Sequence, residues 1–147
     1  MGALKGKVFN AIGKTQGGWT TKIHTVVDAE GHPIRIKVAA GQINDNLFAK
    51  ALLCGKRAKH VIADKAYDTD DIRYHLMKRK EKATIPNLGR RKYEIQYSKK
   101  IYKKRNLVEQ FFQRIKTFRR IATRYEKSIK MYKGMVWIAC ILIWVIF

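Results

Sequence analysis

Acidic residues are scarce in this chain. Its 147 residues hold 11 Asp and Glu against 32 Lys and Arg, a formal charge of +21. Such an excess calls for a polyanionic partner, with nucleic acid the first candidate and a ribosome-associated or membrane-surface protein the other reading. Cysteine is nearly absent. Cys54 and Cys140 show no CxxC spacing, which excludes a disulfide framework and leaves two buried, reduced thiols of a cytoplasmic protein as the expectation. The histidines at 24, 32, 60 and 75 lack ligand spacing, so a zinc site is not expected. A long apolar run is missing too. The longest, Met135 to Phe147, has 13 residues where about 20 span a bilayer. A buried C-terminal helix over 134–147 is expected, with no stable membrane association; a tail-anchored protein is the minor alternative. Met1 to Gly18 has no apolar segment suited to a signal peptide. The expected location is the cytoplasm, in association with the nucleoid.

Apolar residues make up 46% of the chain, enough to build a core. Residues 1–18 read as a glycine- and lysine-rich loop leading into the domain. Thr20 to Val27 and Ile34 to Ala40 read as two strands of a hairpin over 19–40, and Asp28 in its turn reads as a turn residue rather than a catalytic acid. Asp45 is placed as the N-cap of a helix ended by Gly55. Val61 to Ala63 is a short buried strand delivering Asp64 at its carboxyl end, where ligands collect in open α/β sheets. Asp68, Asp70 and Asp71 crowd the start of a helix reaching about Lys80, where carboxylates favour the dipole. Ala83 to Pro86 is a last short strand.

From Leu88 to Lys104, basic residues including Arg90, Arg91 and Lys92 alternate with Tyr93, Tyr97 and Tyr102. That mixture suits phosphate contacts and stacking on unpaired bases; a solvated loop is the bland alternative. A long helix follows, to about Thr123. At about 100° per residue, Tyr102, Arg105, Glu109 and Lys116 fall within an arc of about 60°. Leu107, Val108, Phe111, Ile115 and Phe118 form a separate apolar stripe. A carboxylate ringed by a phenol, a guanidinium and an ammonium suits work on a phosphodiester. An exposed i,i+4 ion pair between Arg105 and Glu109 is the plain reading.

Most of the eleven acids have a turn, a helix start or a basic neighbour to explain them; Asp64 and Glu109 do not. Two such carboxylates can hold Mg²⁺ or Mn²⁺. In a two-metal site the ions activate the attacking oxygen and stabilise the leaving one.

The spacing Tyr102-x2-Arg105-x3-Glu109-x6-Lys116 resembles the Y-R-E-K signature of bacterial insertion-sequence transposases. Val61-Ile-Ala-Asp64-Lys-Ala-Tyr-Asp68 is similar to the second-aspartate motif of that family. Gly17-Gly-Trp-Thr-Thr-Lys-Ile-His24 and Gly41-Gln-Ile-Asn-Asp45 are similar to its upstream segments. The resemblance runs from about Gly17 to the C-terminus. It implies an α/β, ribonuclease-H-like mixed sheet with flanking helices and a DDE triad, the chain being the C-terminal part of one catalytic domain. It implies Asp64 and Glu109 as catalytic, metal-binding acids over residues 61–123. Tyr102, Arg105 and Lys116 become DNA contacts, the partners become the element's terminal repeats and target DNA, and a homo-oligomer forms in a transposition complex.

One departure stands out. The triad's first aspartate belongs on a strand upstream of Gly17, and nothing before Asp28 is acidic. The fold is thus expected to be incomplete, lacking its first catalytic strand, with an upstream-frame product supplying it by frameshifting. The competing expectation is a catalytically dead fragment that only binds DNA.

Overall fold

The computed structural model describes residues 11–146; the expectation of a loop over 1–18 lies partly outside them. The described residues divide into two compact units, 11–43 with 107–146, and 44–106.

The first unit is built on an antiparallel sheet of β1 (Gly13–Thr15), β2 (Gly18–Val27) and β3 (Pro33–Ala40) in that order. The hairpin is present, in the register Thr21↔Ala40 to Thr25↔Ile36. β1 is an addition, since Gly13 to Thr15 were read as loop and instead pair with Gly18 to Thr20. Asp28 closes the hairpin turn as expected of it. Its Oδ1 accepts the N–H groups of Glu30 and His32, both at 2.9 Å, and Gly31 takes φ +93. At Gly41 a Cβ would collide with the Thr20 hydroxyl, so the chain leaves β3 only through glycine.

The expected long helix is two. Helix α4 (Asn106–Lys116) carries the apolar stripe, and Phe111 and Ile115 are fully buried. It stops because the Thr117 hydroxyl bonds back to the Arg114 carbonyl at 2.7 Å and Phe118 turns extended. A short α5 (Arg119–Ala122) follows. Helix α6 spans Ile129–Ile146, five residues earlier than its apolar run suggested, because the polar first turn winds on from Ser128, whose carbonyl accepts from Tyr132 N. Its inner face, Tyr132, Val136, Ala139, Cys140 and Ile143, packs with Ile36, Phe111, Ile115 and Ile121. Cys140 is buried and its thiol is pushed up to about 12 by that burial.

Arg124 fastens this unit. Its guanidinium donates to Thr21 Oγ1 at 2.6 Å and to the carbonyls of Ala11, Glu126 and Lys127. It also lies 4.8 Å from the centre of the Tyr132 ring.

In the second unit a 3₁₀ turn (Asp45–Phe48) leads into α1 (Ala49–Leu53), β4 (His60–Ile62), α2 (Asp70–Lys78), β5 (Lys82–Thr84) and a single turn, α3 (Lys99–Tyr102). β4 and β5 pair in parallel, His60↔Lys82 to Ile62↔Thr84. Ala49, Ile72, Leu76 and Ile85 form its core. Three expectations are corrected here. Asn44, not Asp45, precedes the first turn. Cys54 is exposed, because α1 ends there and Gly55 reverses the chain at φ +68. Glu81, one of the acids that a basic sequence neighbour explains and so expected at the surface, is buried; it takes two hydrogen bonds from Arg79 and one from the Ala58 N–H.

Candidate functional site

Asp64 stands two residues beyond β4. It is half-buried, in extended geometry, and caps the 3₁₀ turn Lys65–Tyr67 by accepting the Ala66 N–H at 2.9 Å on Oδ1. Among the described residues no hydrogen bond falls on its Oδ2, so one carboxylate oxygen remains for a cation. The neighbouring Tyr67 hydroxyl is pushed up to about 12, first by burial and then by the negative field of Asp45 and Asp64. A strongly basic chain thus holds a local negative spot where β4 ends. A hard divalent cation fits such a donor set. Asp45 was read only as a cap, and its charge acting on the same hydroxyl as Asp64 is a signal the sequence did not give.

Asp68, four residues on, is different. Its side chain is fully buried. It receives Arg73 Nε at 2.6 Å, Arg91 Nε and Nη2 at 2.9 Å, and the Leu88 N–H at 2.6 Å. Burial works to raise its pKa, but these donors prevail and hold the carboxyl at about 2. The capping role expected of Asp68 passes to Thr69, whose hydroxyl accepts from Ile72 N.

The basic loop after β5 is pinned at both ends of its reach. Asn87 brackets Ile95 with two hydrogen bonds, of 3.0 and 3.1 Å. Arg91 is bound to Asp68 and, through Nη1, to Asp70 at 2.6 Å. The hydrogen bonds Arg91 donates to Asp68 and Asp70 raise its pKa. Of the three loop cations read as phosphate contacts, Arg91 is therefore committed to carboxylates, whereas Arg90 and Lys92 are exposed. Lys92 lies over the exposed Tyr93 ring at 5.6 Å.

The four-residue polar face is not carried by one α-helix. Tyr102 ends α3, Arg105 ends a 3₁₀ turn (Lys103–Arg105), and α4 begins only at Asn106. In a 3₁₀ turn residues i and i+3 eclipse, and Arg105 Cζ stands 5.7 Å from the centre of the Tyr102 ring. Tyr97 packs edge-on against the same ring at 5.6 Å. Glu109 and Lys116 are both exposed on α4, two turns apart. The site residues divide by unit. Asp64, Arg90 to Lys92, Tyr102 and Arg105 belong to the second, and Glu109 and Lys116 to the first.

One further grouping was not foreseen. Asp28, Glu30 and His32 bring ligand atoms within 4.8 Å of one another, His32 Nδ1 lying 3.6 Å from both carboxylates. The histidine ring stacks on Trp144 at 4.5 Å, and the Trp144 indole donates to the Pro33 carbonyl at 2.9 Å. The hairpin turn accounts for this cluster without a cation.

Comparison with known proteins bears on the whole chain. Residues 7–144 match the family model described as "Transposase DDE domain". A Brucella ovis protein that carries the name of a transposase for insertion sequence element IS6501 is 42% identical over 127 residues, covering 85% of this chain and 98% of that protein. No solved structure matches. DDE transposases depend on divalent metal and act on DNA, and the carboxylate at the end of β4 fits that chemistry. The chain belongs to the DDE transposase family.

Proposed function

We propose that this chain supplies the second and third acids of a ribonuclease-H-like transposase, of the Y-R-E-K subgroup, and corresponds to the C-terminal part of the catalytic domain. The observation that carries this reading is Asp64, held at the carboxyl end of β4 with one oxygen left over. Asp64 and Glu109 would hold Mg²⁺ or Mn²⁺, which when bound activates the attacking oxygen and neutralises the leaving one. The chain's own residues do the rest. Arg105 and Lys116 neutralise phosphates near the scissile bond. Tyr102, braced by Tyr97 and by the Arg105 guanidinium, offers a ring edge and hydroxyl to the DNA backbone. Arg90 and Lys92 follow the phosphates from the basic loop, while Arg91 holds that loop in place.

The first aspartate and its strand come, in this reading, from an upstream-frame product. Support lies in each sheet separately. Among the described residues, β2 has β3 on one side, and on the other only β1, which covers its first three residues. Among the described residues β4 has β5 alone, and two-stranded parallel sheets rarely stand by themselves. Both sheets thus have an edge that another strand can extend. The assembled enzyme would be a homo-oligomer on the element's terminal repeats and target DNA, working in the cytoplasm at the nucleoid.

The test is to express the chain alone and together with the upstream segment, and to assay cleavage of the element's ends in Mg²⁺. Cleavage only in the paired sample supports the reading. Glu109→Gln should abolish it and leave DNA binding intact. Binding without cleavage in both samples would establish the other reading, a fragment that only binds DNA.

A further inference from the structure

The parallel pair β4 and β5 has ends of opposite charge. Asp64 and the acidic surroundings of the Tyr67 hydroxyl lie at the carboxyl end. The amino end is entered by two basic segments, 54–60 and 78–82, in which Lys56, Arg57, Lys59, Lys78, Lys80 and Lys82 are exposed. The one acid in these segments, Glu81, is buried. Internal bonds hold the two segments together. Arg79 donates to the Leu53 carbonyl at 2.9 Å, to the Lys56 carbonyl and twice to Glu81. Glu81 accepts the Ala58 N–H at 3.0 Å, and Arg57 donates to the Arg79 carbonyl at 2.9 Å. The Lys82 N–H reaches the Lys59 carbonyl at 3.1 Å. One buried ion pair therefore fixes the backbone, and the lysines around it stand in solvent.

The backbone at Lys80 is an independent sign. Helix α2 ends in a Schellman motif, with the Glu81 N–H bonded to the Leu76 carbonyl at 3.0 Å and the Lys80 N–H to the Met77 carbonyl at 2.9 Å. Lys80 thus takes the left-handed position, φ +58, where glycine is the ordinary occupant. A lysine there is strained where a glycine would not be, and what it adds is one more cation to this cluster.

We propose that the amino end of β4 and β5 binds the phosphate backbone of a second stretch of double-stranded DNA, while the duplex to be cut lies at the carboxyl end with Asp64. Grouped cations call for a polyanion. Neither segment holds Phe, Tyr or Trp, so the surface offers charge without the rings on which unpaired bases stack, and duplex is the form it suits. The loop of 88–104, with Tyr93, Tyr97 and Tyr102, differs in that respect. Parallel strands place their amino and carboxyl ends on opposite sides of this unit. DNA is stiff over about 150 base pairs, so the duplex held at one end does not double back to the other. Binding at the amino end uses no metal, and it stands apart from the metal-site reading of Asp64.

The test is a titration of the full chain, in EDTA, with a random-sequence duplex of about 12 base pairs, little more than one helical turn. Stoichiometry is read at low salt, and the affinity of each binding step over a range of salt. Charge reversal by Lys59→Glu with Lys82→Glu should reduce the duplexes bound per chain from about two to about one. Both positions are exposed, so the circular-dichroism melt should not fall. Lys80→Gly should lower the slope of log K against log salt for the second step by about 1. It should also raise the melt, since glycine relaxes the left-handed position. A lysine kept only for the dipole at the helix end would do the reverse, lowering the melt when removed and leaving the slope alone. One duplex per wild-type chain would overturn the proposal, as would two in the charge-reversed protein. So would a Lys80→Gly slope within about 0.3 of wild type. Polyglutamate that excess duplex does not displace, and that charge reversal does, would give the surface to an acidic protein instead.

Discussion

Asp64 and Asp68 lie one short turn apart in a segment that reads as a single acidic motif, and their surroundings are opposite. Asp68 is fully enclosed and receives four hydrogen bonds from Arg73, Arg91 and the Leu88 amide. Asp64 is half-open and gives one oxygen to a turn. A carboxylate saturated by protein donors has no lone pair to offer a metal, and its charge is already neutralised. A carboxylate held by one backbone bond is oriented yet still able to ligate. The contrast separates an acid that holds the fold from one available for chemistry.

The largest expected effect comes from reversing these roles by substitution. Asp64→Asn, in the enzyme assembled with its upstream segment, should lower end cleavage more than ~100-fold, beyond the loss typical of an outer-shell metal partner. It should move the thermal midpoint little, since Asn still accepts the Ala66 N–H. Asp68→Asn should do the reverse. It leaves two guanidinium groups without their shared anion, a change of about 3 kcal/mol. Cleavage should recover once the measurement is made well below the lowered midpoint. An Asp68→Asn protein as stable as the wild type would break the comparison.

The pH dependence sharpens it. The Asp68 carboxyl is depressed from 3.8 to about 2 in the folded protein. A depressed folded-state pKa stabilises above the unfolded value and loses that stabilisation as pH falls through the folded one. The contribution is therefore whole above about pH 4 and disappears toward pH 2, amounting to about 2 kcal/mol. Denaturant titrations at pH 5, 3 and 2 should show this loss in the wild type and not in Asp68→Asn. An equal slope in both would assign the acid sensitivity to other carboxylates.

The same contrast shows what the sequence could and could not tell. The hairpin, the turn role of Asp28, the strand before Asp64 and the Phe111–Ile115 stripe were legible, because each follows from local periodicity or turn chemistry. The break after Lys116 was not, since it depends on the Thr117 hydroxyl turning back to a carbonyl. Nor was the partition of the acids. Glu81 sits among lysines and an arginine in sequence, and Asp68 among other aspartates at a helix start; both look like solvated acids there, and only tertiary burial turns them into anchors. Arg91 is the clearest case. In the chain it is one of three adjacent cations, and nothing local marks it as the one that meets Asp68 across 23 positions.

That difference among adjacent cations gives the smallest and most discriminating prediction. Lys92 is exposed, over the Tyr93 ring; Arg91 is tied to two carboxylates. If both touched phosphate, Lys92→Ala and Arg91→Ala would each lower the slope of log K against log salt by about 1. The structure predicts that decrease for Lys92→Ala, with an unchanged melt. Arg91→Ala should lower the melt, because Asp68 is left buried with Arg73 and one amide. Its salt slope, measured on the folded population, should stay within about 0.3 of wild type, since the lost guanidinium was neutralised inside the protein and released no counterions from DNA. A full unit of slope lost with Arg91→Ala would show that DNA can draw this arginine away from Asp68, and the loop anchor would then be part of the DNA-binding surface.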